Sequence, residues 1–218
     1  GASKTEQWVV SNQKYIFIVV GLAALIVLGF LGFDKFVQQP KERTAMNDMY
    51  TAQMYFDQAI TSSNQDSLFN LSLNGDGAKY GMLDILDIYS GTNAGNLANY
   101  YAGMAYMNMK DYANAIEYLN EFDSDDDILG PISKGGIGDA FVQLEQLDDA
   151  FDYYVQASNL KVNNYTTPMY LQKAGIIGLK IGEFEKSLDY FNRIKSDFPQ
   201  SNEAKDIDVF IGKAQALN

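Results

Sequence analysis

Residues 102–122, AGMAYMNMKDYANAIEYLNEF, return in altered form at 137–158, IGDAFVQLEQLDDAFDYYVQAS, and again at 174–199, AGIIGLKIGEFEKSLDYFNRIKSDFP. Each copy has a glycine in its first apolar segment (Gly103, Gly138, Gly175) and a small residue in its second (Ala115, Ala150, Ser187). Both series are spaced by 35 and then 37 residues. Larger side chains keep the same frame: Tyr106 and Phe141 in the first segment, Tyr112, Leu147 and Phe184 at the turn, and Leu119, Tyr154 and Phe191 in the second. A period of this length, with two helical apolar patterns per copy, marks stacked helical hairpins, none of which buries its apolar face alone. The small residues predict close approach of two antiparallel helices, and the rings predict filling between successive hairpins.

The period and the shared positions are those of the tetratricopeptide repeat (TPR), about 34 residues per hairpin, with short insertions. Pro199 closes the third copy where such repeats place a proline. Gly178 in place of an aromatic, Ser187 in place of alanine, and the acidic residues 123–127 in place of a closing proline depart from the pattern. Pro131 and Pro168 are expected at the first position of their helices, Thr167 as an N-cap, and Asp111 and Asp148 at the hairpin turns. Upstream, residues 44–61 carry a looser helical stripe (Met46, Met49, Tyr50, Met54, Ala59), and so do residues 79–90 (Met82, Ile85, Ile88). The stretch 61–77 between them reads as a loop ending in the turn Asn74-Gly75-Asp76-Gly77, so the two stripes predict a degenerate hairpin packed on the first full repeat. Downstream, residues 202–217 predict a capping helix with Ile207, Phe210 and Ile211 as its apolar stripe.

Before the repeats, residues 15–33, YIFIVVGLAALIVLGFLGF, contain nineteen residues without a charge, bounded by Lys14 and by Asp34 and Lys35. At 1.5 Å per residue this run spans about 28 Å, the thickness of a hydrocarbon core. A cleaved secretory signal has a shorter apolar region followed by small residues, whereas this run ends in Phe33-Asp34-Lys35-Phe36. An uncleaved transmembrane helix in the lipid bilayer is the expectation, and without cysteine a lipoprotein anchor is excluded. Gly21, Ala24 and Gly32 share one stripe with Leu25 and Leu28, which suits lateral contact with another membrane helix, although Gly and Ala are common in such helices anyway. Lys4 and Lys14 precede the helix while Lys35, Lys41 and Arg43 follow it, so the positive-inside count favours a cytoplasmic C-terminal domain by a single residue.

Composition removes most catalytic chemistries. The chain has no histidine and no cysteine, which excludes Cys-His, Ser-His-Asp, thiol-redox and His- or Cys-ligated metal mechanisms. A carboxylate pair remains conceivable, but the acidic residues are spread at solvent-facing helical spacing, and no cofactor or enzyme activity is expected. From Asp34 onward 14 basic residues face 27 acidic ones, a surface that repels nucleic acid. The run Asp123-Ser124-Asp125-Asp126-Asp127 lacks the ligand spacing and glycine of a calcium loop and reads as a solvated connection.

In TPR solenoids the first helix of each hairpin lines the concave wall. Mapped onto this chain, the wall carries Leu97, Tyr100, Met104, Met107 and Asn108, then Ile132, Asp139, Val142 and Gln143, then Met169, Gln172, Ile176, Leu179 and Lys180. The surface reads as apolar and methionine-containing, suited to an extended polypeptide. It lacks the Lys and Asn set of the repeats that clamp acidic chaperone tails. A second reading gives most of these residues to packing between repeats or against the capping helix.

The order of parts resembles the YfgM family, TPR-containing ancillary subunits of the bacterial SecYEG translocon. The likeness rests on Glu6-Gln7-Trp8 and Asn12-Gln13-Lys14 before the helix, the Gly/Ala-rich span, Tyr50-Thr51-Ala52-Gln53, and then the repeats. The resemblance implies a cytoplasmic N-terminus, a single pass through the inner membrane, and a periplasmic TPR domain. It further implies association with SecYEG and the membrane-anchored chaperone PpiD, and handover of exported polypeptides. That orientation opposes the one-residue charge margin. The expected layout is all-α: an N-terminal segment 1–14, a transmembrane helix 15–36, a linker helix and degenerate hairpin 37–94, three repeats 95–200, and a capping helix 201–218. A structural scaffold subunit of another bacterial envelope complex is the alternative.

Overall fold

In the computed structural model, which describes residues 4–218, eleven α-helices and one π-helical turn follow one another, with no strand among the described residues. Helix α1 (Lys4–Phe33) passes through the π turn Asp34–Gln38 into α2 (Gln39–Thr61) without a break. The two form a single rod, Thr5–Thr61, of 57 residues, about 85 Å long at the α-helical rise. At the π turn the Gln39 N–H donates to the Asp34 carbonyl, and the Gln39 side-chain amide donates to the Asp34 carboxylate at 2.9 Å. The apolar window of α1 touches nothing else in the protein. Its helix is long and apolar enough to cross a membrane, and side chains such as Ile26 and Phe30 are 73% and 70% exposed.

The remaining helices pair as hairpins. They are α2 with α3 (Gln65–Asn74), α5 (Asn93–Asn108) with α6 (Tyr112–Glu121), α7 (Leu129–Gln143) with α8 (Leu147–Leu160), and α9 (Thr166–Ile181) with α10 (Phe184–Asp197). The short α4 (Met82–Ile88) sits between the first and second hairpins, and α11 (Ile207–Leu217) packs on α10 at the end. Successive first helices touch one another, α2 with α5, α5 with α7 and α7 with α9, while the second helices pack chiefly against first helices. Such an arrangement curves the stack with its first helices on the inside.

The repeat glycines explain themselves in this packing. A β-carbon on Gly103 would lie 2.6 Å from Leu119, on Gly138 2.7 Å from Tyr154, and on Gly175 2.4 Å from Phe191. These partners are the side chains that share one frame position in the second helix, so each hairpin closes by seating the same knob on the same bare backbone. The two irregular positions of the third repeat also belong together. A β-carbon at Gly178 would meet the Ser187 hydroxyl at 2.3 Å and the Phe151 ring at 3.0 Å. Serine and a phenylalanine from the preceding hairpin occupy the space that Tyr106 and Phe141 fill in their own repeats. There the rings meet the second helix instead, Tyr106 stacked on Tyr118 and Phe141 tilted against Tyr153, each at 5.4 Å.

The hairpin turns repeat as closely. Lys110, Glu145 and Gly182 all adopt left-handed backbone, with φ of 62°, 60° and 87°. After each, an N–H reaches back five residues, Asp111 to Tyr106, Gln146 to Phe141 and Glu183 to Gly178, at 2.8–2.9 Å. These bonds satisfy carbonyls that a helix end leaves open. Asp111 caps α6 through its carboxylate, accepting from the Asn114 N–H at 3.3 Å.

Several local expectations change. Residues 65–74, expected as loop, form α3: Phe69 and Leu73 lie one turn apart and are buried against the α2 face of Met49, Ala52 and Phe56. The polar residues around them have weak helix propensity, and burial overrides it. The first hairpin is therefore α2–α3, and the stripe of 79–90 supplies only the short α4. Helices α7 and α9 begin two residues ahead of Pro131 and Pro168, which stand third in their helices, where no intrahelical N–H bond is lost. Asn163, not Thr167, caps α9, its side-chain oxygen accepting from the Tyr165 and Thr166 N–H groups at 2.8 and 2.7 Å. Asp126 does the same for α7, accepting from Ile128 and Leu129 at 2.8 and 2.7 Å. These bonds hold its carboxyl below the usual range and give the acidic connection a structural role. The terminal helix starts at Ile207, with turns over 201–206.

Candidate functional site

The inner wall is built by α2, α5, α7 and α9, and the structure divides the residues mapped onto it. Leu97 and Met104 pack on an apolar cluster shared by α2–α5, Val142 and Met169 on the cluster around Tyr154 and Tyr170, and Ile176 and Leu179 on the cluster that includes Ile207 of α11. Ile132 is half-buried and Lys180 exposed. Tyr100, Met107, Asp139 and Gln172 are half-buried, and Asn108 and Gln143 are exposed. The wall is thus less a methionine trough than a polar and tyrosine-bearing surface over packed apolar side chains. The Asn108 amide donates back to the Met104 carbonyl at 2.8 Å, and the Tyr112 hydroxyl donates to Gln143 at 3.4 Å across two repeats.

At the centre lies a network that joins one mapped residue, Asp139, to Lys173, Tyr154 and Tyr170, which the mapping left out. Lys173 of α9 pairs with both oxygens of Asp139 of α7, at 2.6 and 2.9 Å. The Tyr154 hydroxyl donates to the same carboxylate at 2.5 Å. The Lys173 ammonium sits over two rings, 5.5 Å from Tyr154 and 5.8 Å from Tyr170, which themselves stack at 6.3 Å. Burial, followed by the hydrogen bond to Asp139, drives the Tyr154 phenol upward, and burial with the Asp139 charge does so for Tyr170. Gly135 makes room: a β-carbon there would lie 1.9 Å from the Tyr170 ring. Tyr170 packs over α7 at that point. Two consecutive first helices, α7 and α9, are thereby tied together, which stiffens the wall there. Asp139 and Lys173 are 34 residues apart, whereas the register between these two repeats is 37 (Gly138 to Gly175), so Lys173 stands about one turn ahead of the position equivalent to Asp139 and the repeat pattern does not mark the pair.

A groove of about 400 Å³ opens where α2 meets α5, lined by Tyr50, Gln53, Met54, Asp57 and Gln58 of α2 and by Tyr101 of α5. Tyr101 packs edge-on against Phe56 at 5.1 Å and against Tyr100 at 5.8 Å. Burial first, and the Asp57 charge next, raise its phenol. In the apolar helix α1, Gly21, Ala24, Leu25 and Leu28 are exposed and Gly32 half-buried, and a β-carbon on Gly21 or Gly32 would meet nothing within 4 Å.

Comparison with known proteins agrees with this architecture. A family model described as a tetratricopeptide repeat matches residues 97–125. Among solved structures, a Podosopora anserina chain described as putative kinesin light chain nearly identical TPR-like repeats superposes with a TM-score of 0.54. It has 10% identity and covers 82% of this chain and 88% of that one. A point variant of those repeats gives 0.56 at 10% identity, covering 82% and 87%. No curated protein matches the chain at a significant level. The fold is a TPR-like α-solenoid, and its α5–α6 hairpin carries the repeat family's own sequence pattern. Solenoids of this class serve as protein–protein interaction scaffolds and are typically non-enzymatic.

Proposed function

We propose that this chain is a membrane-anchored TPR adaptor that binds polypeptides along its inner wall while standing on the bilayer. The observation that carries the reading is the unbroken rod Thr5–Thr61, whose first part is an exposed apolar span and whose second part is the first helix of the solenoid. Following the YfgM resemblance, the domain lies on the periplasmic side of a bacterial inner membrane. Its partners there are the SecYEG translocon, a PpiD-like anchored chaperone and exported polypeptides. The stripe Gly21, Ala24, Leu25, Leu28 and Gly32 is the lateral helix contact in this reading, and Tyr100, Met107, Asn108, Asp139, Gln143 and Gln172 are the wall residues that meet the client. Purification from mild-detergent membranes through a C-terminal tag is expected to recover SecY, and its consistent absence would overturn the translocon assignment.

The stiffness of the wall favours a second reading, a brace within another envelope complex. Photocrosslinkers at the exposed positions Asn108 and Gln143 separate the two: many exported chains captured support the adaptor, and one stoichiometric partner supports the brace.

A further inference from the structure

The solenoid is bolted to the membrane rod at a fixed place. The Gln38 side-chain amide, at the end of the π turn, donates to the Gly91 carbonyl at 3.1 Å, and the Lys41 ammonium donates to the Ser90 carbonyl at 3.4 Å. One helical turn further, the Glu42 carboxylate accepts the N–H groups of Asn93 and Ala94 at 2.7 and 2.9 Å, closing the start of α5 onto α2. The loop between α4 and α5 is thereby pinned at the level of residues 38–41. That level is about 7–12 Å beyond Phe33, the last residue of the charge-free run, at helical rise. The headgroup layer on one side of a bilayer is about 5–7 Å deep. The loop therefore stands at the outer edge of the headgroup layer.

Leading into that loop, Ile88 at the end of α4 is 43% exposed, and Phe36 and Val37 of the π turn, just ahead of Gln38, are 76% and 48% exposed. The same stretch holds Lys35, Lys41 and Arg43, three of the chain's 16 basic residues, in a protein of net charge −12. Its nearest acids are engaged, Asp34 by Gln39 and Glu42 by the α5 amides. Asp87, exposed next to Ile88, limits the depth, because a carboxylate does not enter hydrocarbon cheaply. One repeat on, the corresponding connection is the acidic stretch 123–127, which belongs in water.

From these placements we infer that residues 88–91, with Phe36 and Val37, form a second, peripheral lipid contact. The contact seats the solenoid on the headgroup layer, so the inner wall stands at a set height and angle. The inference rests on the membrane reading of α1, and its test keeps the two apart. Single-tryptophan reporters are placed in a Trp8→Phe background of the full chain, reconstituted into protein-free vesicles of brominated phosphatidylcholine with phosphatidylglycerol. Leu25→Trp reports the anchor, Ile88→Trp the loop, and Val209→Trp, at a site 71% exposed on α11, the solvent. Ile88 is exposed, so its replacement leaves the fold intact, as circular dichroism verifies. The expected result is strong loss of emission at Leu25→Trp, a smaller loss with a blue shift at Ile88→Trp, and none at Val209→Trp. Ile88→Trp emission equal to Val209→Trp, with Leu25→Trp quenched, overturns the lipid contact and leaves the anchor standing. An unquenched Leu25→Trp overturns both.

Discussion

Replacing Gly175 by alanine tests whether the repeat glycines are demanded by the facing helix. The added β-carbon would sit 2.4 Å from Cε1, 2.6 Å from Cζ and 3.0 Å from Cδ1 of Phe191, where ordinary contacts run at 3.4–4 Å. The ring would have to retreat by about 1 Å, and a packed interior resists that at roughly 1–3 kcal/mol. Phe191 is fully buried among Leu171, Ile194 and Ile207, and its ring meets Phe210 at 5.4 Å, so it has nowhere to go. Alanine's better helix propensity returns about 1 kcal/mol, which leaves a net loss of up to about 2 kcal/mol. Gly212→Ala on α11, where nothing lies within 4 Å, isolates the propensity effect and is expected to gain roughly 0.5–1 kcal/mol. Urea titration of the detergent-solubilised chain by far-UV circular dichroism, with hydrogen exchange read over α9 and α10, measures both. In the double variant Gly175→Ala/Phe191→Leu the smaller side chain relieves the clash, so the two losses add to less than their sum. A Gly175→Ala chain that gains as much stability as Gly212→Ala, or additive effects in the double variant, would refute the knob-on-glycine account.

Lys110→Gly removes a side chain from left-handed backbone at a turn where Gly182 holds the same place two repeats on. It is expected to raise stability by about 0.5–1 kcal/mol in thermal unfolding. Tyr89 donates its hydroxyl to Asp48, and that bond, followed by burial, pushes its phenol up to about 12 from 10.0. Its folded form keeps the proton longer than the unfolded one. The stabilisation is therefore complete below pH 10 and lost as pH rises through the folded value. Urea midpoints are expected to fall over that window, and Tyr89→Phe to flatten the fall.

Period and composition made the hairpins legible. The shared registers of Gly103, Gly138 and Gly175 and of Leu119, Tyr154 and Phe191 are legible in the sequence, but which of them meet is not: the rings are expected between successive hairpins, and the structure seats these three side chains on the glycines of their own hairpins. Local propensity misled where packing outweighed it: α3, built from Ser, Asn and Gln around Phe69 and Leu73, forms because α2 offers those two side chains a buried face. Capping likewise went to Asp126 and Asn163, whose short side chains reach back to free N–H groups that a sequence pattern does not single out.

The sequence by itself determined that this is an all-α repeat protein with a helix fit to cross a membrane, since both follow from periodicity and from the length of an uncharged run. Tertiary structure alone decided that the apolar helix and the first solenoid helix are one rod. It also decided that Tyr170 packs over Gly135 to join two repeats, and that the loop after residue 88 is bonded to the rod at Gln38 and Lys41. Those facts depend on which surfaces meet across dozens of residues, through single hydrogen bonds such as Gln38 to Gly91, and a one-dimensional pattern does not encode which partner a side chain finds.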